Sequence, residues 1–395
     1  MRILFVHNEY ARPSGEEHAS QAIADLMASH GHQVSWYRRS SAEIADSAMG
    51  KVKAFFAGVH NPWTAEEMAR RLDELQPDLV QVQNLYPLLS PSIFRPCRER
   101  GVPVVMRCPN YRLFCPNGLH LCRGEVCEHC LGSGRELWCV FRNCEGSLAK
   151  SVGYALRNWA ARVTRRILNG VDMFIVQSEF QKSKFAANGI PTEKIAIVPG
   201  ITPDVEFQAN DDPGELVSFV GRVSPEKGIE EFLQAARAMP DTPFALAGSY
   251  EGMPAIRDHS PENVRWMGFL TGEDLNDFYR RSRILVFPSR WYEGFPNVAT
   301  RAMILGKPVV AAKIGALAEI VDDGDTGTLF AVGDGGSLAE AVRGLYGDAA
   351  LCRRYGEAGR RKALANYTRD AIYERLMAAY AVAASARSAA LGARD

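Results

Sequence analysis

The sequence predicts an α/β chain of two doubly wound domains. Three observations carry this expectation. Short apolar runs alternate with longer amphipathic stretches along the chain, the alternation restarts after a Pro- and Gly-rich interruption near residue 200, and 395 residues exceed the usual size of one domain. Hydrophobic residues at 47% and charged residues at 23% fit a soluble globular chain and exclude collagen-like, coiled-coil and disordered classes. No apolar run approaches the roughly 18 residues of a spanning helix. The opening run, residues 3–6, meets His7, Asn8 and Glu9 at once, too short and too polar for a signal-peptide core. The expected location is the cytoplasm.

In order, residues 3–6, 34–37, 79–82 and 102–106 read as strands, with a helix over 19–29. Continuous apolar runs of this length suit parallel strands buried on both faces, and the helices between them supply the crossovers. The second half repeats the pattern with 217–220, 244–247, 284–287 and 308–312. The expected hinge lies at residues 198–203 and the polar stretch 208–214. A last, Ala-rich helix is expected over 368–390. Open parallel sheets bind ligands beyond the carboxyl ends of their strands, so two such sheets imply a cleft between domains.

Formal net charge is zero, which removes a global field for nucleic acid. The first half is nevertheless net basic and the second net acidic. The basic stretch from Lys150 to Arg166 has two readings, a solvated helix face or peripheral contact with an anionic membrane at the inner face of the cell membrane.

The strongest chemistry lies in the second half. The strand at 217–220 leads into Gly221-Arg222-Val223-Ser224-Pro225-Glu226-Lys227-Gly228 and then an amphipathic helix. Arg222 and Lys227 sit on one strand-to-helix loop, where a planar fork, a point charge and helix-start N–H groups together suit a diphosphate. After the strand at 284–287 comes Trp291-Tyr292-Glu293-Gly294-Phe295-Pro296-Asn297, opening another helix, with Gly294 permitting close backbone approach. A third helix start follows at Gly315-Ala316-Leu317-Ala318-Glu319.

This set of motifs resembles the donor half of the retaining glycosyltransferases of family 4. The Ser14-Gly15-Glu16-Glu17 loop and the Asn110-Tyr111-Arg112-Leu113-Phe114-Cys115-Pro116 segment extend the resemblance over nearly the whole chain. It implies the GT-B fold: two facing Rossmann-like doubly wound domains with an inter-domain cleft. Residues 1–200 are then the acceptor-side domain with a Cys-rich insertion at about 108–146, 201–370 the nucleotide-sugar domain, and 371–395 a helix crossing back to the first. Arg222 and Lys227 are implied to hold the donor diphosphate, joined by Gly221 and by Gly15 from the other domain. Glu293 is implied to contact the transferred sugar, with Gly294, Phe295, Pro296 and Asn297 around it. Gly268 and Phe269 resemble the nucleobase segment, and Glu319 matches the acidic position of its helix. Asn110, Tyr111 and Arg112 fall on the acceptor side. The resemblance also implies catalysis without a metal, by same-face attack of an acceptor hydroxyl, with the leaving phosphate taking the proton.

Three positions depart from the family pattern. Arg301 stands where a second Glu, eight residues after the first, usually holds the ribose, so an acceptor has become a donor-only cation. Pro109 and Gln83 stand where His residues are often found.

Seven of the nine cysteines fall between Cys108 and Cys144. Two readings stand side by side: a structural Zn²⁺ built around the C-x2-C pair Cys127 and Cys130, with Cys115 or Cys122 before it and Cys139 or Cys144 after it (Cys115, Cys127, Cys130 and Cys144 as the first choice), or reduced cysteines packed as small hydrophobes. The functional expectation is transfer of a sugar from a UDP- or GDP-sugar to a carbohydrate or lipid-linked glycan acceptor in surface polysaccharide biosynthesis. The alternative is a catalytically weak or inactive nucleotide- or glycan-binding regulatory or scaffold protein of the same fold.

Overall fold

The computed structural model describes residues 1–10, 15–44, 58–202 and 214–392. They form two units. The first comprises residues 1–120, 127–201 and the segment from Ile372 onward; the second comprises 121–126 and 202–371. Ser14 and residues 203–213, which include most of the expected hinge, lie outside the described residues.

The first unit is built on a six-stranded, wholly parallel sheet. Its strands are β1 (Arg2–Glu9), β2 (Gln33–Ser40), β3 (Leu79–Asn84), β4 (Val104–Arg107), β7 (Met173–Val176) and β8 (Ile195–Ile197), in the order β2-β1-β3-β4-β7-β8. A small antiparallel hairpin, β5 (Leu121–Cys122) with β6 (Glu125–Val126), interrupts the chain between β4 and β7. The helix after β1 runs from Gly15 to Ser29, four residues earlier than expected, with Glu16 and Glu17 in its first turn, where negative charge suits the N-terminal end of the helix dipole. The helix Pro62–Leu75 starts with Pro in its first turn, and the side chain of Asn61 accepts from Thr64 N at 3.4 Å.

The second unit holds another six-stranded parallel sheet, β9 (Leu216–Val220), β10 (Phe244–Ala247), β11 (Val264–Gly268), β12 (Ser282–Phe287), β13 (Val309–Ala312) and β14 (Gly327–Phe330), in the order β11-β10-β9-β12-β13-β14. Side chains on a strand alternate between faces, and both faces are dry here. Val217 and Phe219, Phe244 and Leu246, and Ile284 and Val286 enter one core. Their neighbours Leu216 and Val220, Ala245 and Ala247, and Leu285 and Phe287 enter the other. That double burial is why these strands read as unbroken apolar runs.

The last helix, Arg369–Gly392, belongs to the first unit. Ile372, Leu376, Ala379, Tyr380 and Ala383 lie on one stripe and share a core with Ile3, Phe5, Ile23 and Leu26. The Tyr380 hydroxyl hydrogen-bonds Gln81 on β3, and Arg387 reaches Asp172 Oδ2 through Nη2 at 2.8 Å, an oxygen that also accepts from Val104 N at 2.8 Å. Truncating Leu376 therefore opens a cavity in the first unit. Leu376→Ala should cost about 2–5 kcal/mol in urea unfolding, whereas Val382→Ala on the exposed side of the same helix should change stability by less than about 0.5 kcal/mol.

His7 on β1 is buried, and neither ring nitrogen has a hydrogen-bond partner among the described residues. Its nearest carboxylate oxygen is Glu17 Oε1, 3.8 Å from Nε2. Burial outweighs that neighbour and pulls the imidazole from its ordinary 6.5 down to about 4. The unfolded chain takes up this proton below 6.5 while the folded chain refuses it until about 4. The contribution to stability is therefore whole above pH 6.5 and is lost as the pH falls towards 4. Unfolding free energies from urea titrations across this window should fall with pH by up to about 3 kcal/mol, and His7→Asn should flatten that part of the curve.

Candidate functional site

In the second sheet β9 is central, with β10 and β11 to one side and β12 to the other. The loops after β9 and β12 therefore leave the sheet at the point where strand order reverses, the place where open parallel sheets bind ligands. The local sequence forces these loops together. Gly228, which precedes the helix Ile229–Arg237, has φ +73°, and a Cβ there would stand 1.8 Å from the Pro288 carbonyl oxygen. On the next loop, Gly248 has φ +159° and lies so near that its Cβ would stand 1.7 Å from the Gly221 oxygen. No side chain fits at either position. Backbone hydrogen bonds complete the join: Arg290 N to Glu226 O at 2.9 Å, Val223 N to Ser249 O at 2.9 Å and Gly248 N to Gly268 O at 2.7 Å.

This closeness brings together Lys227 and Glu293, residues 66 apart in sequence. Lys227 Nζ donates to Glu293 Oε2 at 2.7 Å, and the other carboxylate oxygen accepts from the Ser289 hydroxyl. Both ends of the Glu293 carboxylate are thus fixed, and both charged side chains are mostly shielded from solvent. Sequence reasoning had not singled out Ser289; its signal was its place at the carboxyl end of β12, four residues before the glutamate. Lys227 also lies 5.7 Å from the Trp291 ring centroid. Trp291 Nε1 and Asn297 Oδ1 are buried and have no hydrogen-bond partner among the described residues. Such groups are costly unless a ligand or water meets them.

The other second-unit residues expected on the donor side have surroundings of their own. Arg222 is two-thirds exposed and donates to Glu226 Oε1 at 2.7 Å, so it stands at the edge of the loop rather than beside Glu293. Pro296 precedes the helix Asn297–Ile304, and the Phe295 ring packs 5.4 Å from that of Tyr367. Gly294 lies in the loop between β12 and that helix. Gly268 ends β11 with φ +71°, and Phe269 after it is largely exposed. Glu319 sits in the short helix Leu317–Ile320, where its carbonyl accepts from Lys362 Nζ at 2.8 Å. Arg301 does not pair with Glu293. Its Nη2 donates to Asn276 Oδ1 at 2.5 Å and its guanidinium lies over the Tyr279 ring, 5.3 Å from the centroid.

The first sheet has its own reversal, between β1 and β3. Asn84 Nδ2 donates to Asn8 O at 2.8 Å and Leu88 N to Asn8 Oδ1 at 2.9 Å, tying together the ends of these strands. Gly15 opens the helix beside them. Glu16 accepts from the Tyr10 hydroxyl at 3.0 Å, and burial raises its carboxyl above the ordinary range despite the nearby Arg112. Arg112 Nη1 donates to Asn84 Oδ1 at 3.3 Å, and Asn110 Oδ1 accepts from Arg112 N at 3.0 Å. A cavity of about 20 Å³, room for a single water, is lined by Glu16, Gln83, Asn84, Arg107, Pro109 and Arg112 among others. Gln83 and Arg107 Nη1 face no hydrogen-bond partner among the described residues. Arg107 had escaped notice; a cation closing the buried run Val104–Arg107 was the available signal.

One expectation needs correction. Tyr111 is a core residue, its ring packed 4.7 Å from that of His120, and it is too buried to offer a surface to an acceptor. Among the described residues no group of three or more His, Cys, Asp or Glu side chains is placed to hold an ion, while burial and the neighbouring Cys115, Cys139 and Cys127 raise the Cys130 thiol above its ordinary range. Cys115, Cys127 and Cys130 are buried free thiols and Cys144 is half-buried; the Cys115 thiol donates to Asn117 Oδ1 at 3.0 Å.

Comparison with known proteins gives two family matches. A model described as glycosyl transferase 4-like domain matches residues 14–200, and one described as glycosyl transferases group 1 matches residues 214–348. A D-inositol 3-phosphate glycosyltransferase of Mycobacterium sp. (strain KMS) is 31% identical over 204 residues, covering 46% of this chain and 46% of that protein. An uncharacterized 42.6 kDa protein in the cps region of Klebsiella pneumoniae is 23% identical over 277 residues, covering 69% of this chain and 67% of that protein. The chain thus spans about half the length of the mycobacterial relative and about two thirds of the Klebsiella one. Among solved structures, Anabaena HepE in complex with UDP and glucose has a TM-score of 0.66 at 17% identity, covering 95% of this chain and 98% of that one. Sucrose-phosphate synthase from Thermosynechococcus elongatus has a TM-score of 0.66 at 19% identity, covering 96% and 99%. At these identities the structural likeness is one of fold. The two halves of the chain thus match models of two glycosyl transferase domains, and its two parallel-sheet Rossmann-like units share the fold of these GT-B structures.

Proposed function

We propose that this protein is a retaining glycosyltransferase that moves a sugar from a nucleoside diphosphate donor, UDP- or GDP-linked, to a carbohydrate or lipid-linked glycan acceptor in surface polysaccharide assembly. The observation that carries the reading is the Lys227–Glu293 ion pair at the strand-order reversal of the second sheet. In this reading an arriving diphosphate draws Lys227 away from Glu293, with Arg222 swinging in from the loop edge. The released carboxylate and the buried Asn297 Oδ1 then accept hydroxyls of the sugar. Two cations on the diphosphate stabilise charge developing on the leaving group, the part a divalent metal can otherwise play. The bond from the anomeric carbon to the phosphate oxygen breaks, the acceptor oxygen adds on the same face, and its proton passes to the departing phosphate.

UDP and UDP-glucose are the first donors to test, because the Anabaena protein of the same fold is in complex with UDP and glucose. The cps-region relative and an exopolysaccharide phosphotransferase of Streptomyces coelicolor, 29% identical over 198 residues, support the polysaccharide setting. Gly15, Glu16 and Arg112 at the β1–β3 reversal are assigned to the first domain's share of phosphate and acceptor binding.

Calorimetry against UDP, GDP and their sugars, without added metal, tests the donor assignment. Lys227→Ala should weaken nucleotide binding by about tenfold to a hundredfold, the worth of a charge-assisted hydrogen bond, and the more exposed Arg222→Ala by less. Nucleotide binding that is indifferent to Lys227→Ala overturns the assignment. Glu293→Ala should abolish transfer while leaving nucleotide binding measurable, and NMR of the product anomeric centre should report the donor's configuration. Nucleotide binding with no transfer to any acceptor would instead favour a binding protein without turnover.

A further inference from the structure

The helix Leu148–Thr164 is turned inside out. Leu148, Val152, Leu156, Trp159 and Val163 are spaced by four, four, three and four residues, which puts them on one face. On an ordinary surface helix that face meets the core. Here each of the five is between 37% and 61% exposed. The face turned inward is instead largely polar: Ser151, Arg157 and Asn158 are buried there with Ala155. Its hydrogen bonds fix the orientation. Asn158 Nδ2 donates to Arg112 O at 2.9 Å, Arg157 Nη2 to Pro116 O at 3.0 Å, and the Arg157 guanidinium lies 4.3 Å from the Tyr86 ring centroid. The neighbouring short helix Trp138–Phe141 extends the exposed apolar surface with Phe141, and Leu137 before it adds more.

Charge selects what covers this surface. From residue 146 to residue 171 the sequence has no acidic side chain, while Lys150, Arg165 and Arg166 are exposed around the stripe. Val163 and Arg165 also help to line a cavity of about 680 Å³ whose other walls include Phe114, Ile167, Leu168 and the Arg162–Glu136 ion pair, so apolar surface continues inward between paired charges. An apolar stripe carrying a Trp and flanked by cations, beside which the Glu136 carboxylate is buried and neutralised by Arg162, matches the boundary between acyl chains and anionic headgroups. No helix among the described residues is long and apolar enough to cross a membrane, so the geometry is that of a helix lying in the surface plane. We infer that the Leu148–Thr164 helix docks the protein on an anionic phospholipid bilayer, with Leu148, Val152, Leu156, Trp159 and Val163 entering the interfacial layer. This inference does not depend on the proposed donor chemistry.

Vesicle flotation of the full chain tests it, using equimolar phosphatidylcholine and phosphatidylglycerol against phosphatidylcholine alone. Binding should favour the anionic vesicles by at least about tenfold and weaken as salt is raised. The pair Trp159→Ser and Val163→Ser should lower binding about tenfold or more, and Lys150→Glu by a smaller factor. These side chains are exposed, so an unchanged melting temperature and unchanged nucleotide calorimetry confirm that the variants are folded and that donor binding is separate. Three results overturn the inference: no flotation with anionic vesicles, flotation unaffected by the Ser pair, or a dimer in analytical ultracentrifugation that the Ser pair dissociates, which would make a second copy the occupant.

Discussion

The site in the second unit rests on an absence of atoms. Residue 228 has no side chain, so the start of one helix can press against the Pro288 carbonyl at the end of β12. That contact closes the distance across which Lys227 reaches Glu293, and it sets Arg290 where Nε meets the buried Glu231 at 3.0 Å. Larger residues at positions 228 or 248 would push the loops apart and leave the same side chains without partners. The chemistry of the site is therefore a product of backbone packing first and of side-chain identity second.

The sheets were largely legible because double burial writes itself into sequence. Residues 217–220, 244–247 and 284–287 appear as apolar runs, and the structure places strands there with alternate residues in two separate cores. The runs at β7, β8 and β14 are as short and carry fewer boundary signals, yet they complete both sheets. The motif loops after β9 and β12 could be found, but the adjacency of β9 and β12 in the sheet could not, since connection rules narrow strand order without fixing it. Nor could side-chain partners. Nothing in sequence indicates that Arg301 turns to Asn276, that Arg222 rests on Glu226, or that Ser289 holds the second oxygen of Glu293.

Helix orientation was the other blind spot. Periodicity reveals that residues 148–164 have an apolar face and a polar one, but not which of them meets the rest of the protein. The outcome turns on specific buried acceptors, the carbonyls of Arg112 and Pro116, which belong to an irregular segment with no periodicity to read. The cysteine cluster poses a related problem. Spacing along the chain permits a tetrahedral site, and only the path of the loops decides whether the thiols meet.

The final helix has a consequence for the order in which the protein can be made. Its side chains from Ile372 to Ala383 belong to the same core as Ile3 and Phe5, yet they are translated after the whole of the second unit. During synthesis the second unit can gather its contiguous strands as they emerge, whereas the first must wait with Phe5, Leu26 and the polar groups of Gln81 and Asp172 lacking their last cover. The domain that begins the chain is thus the one that finishes folding last, and the interval during which it is open to aggregation is set by the length of the segment between.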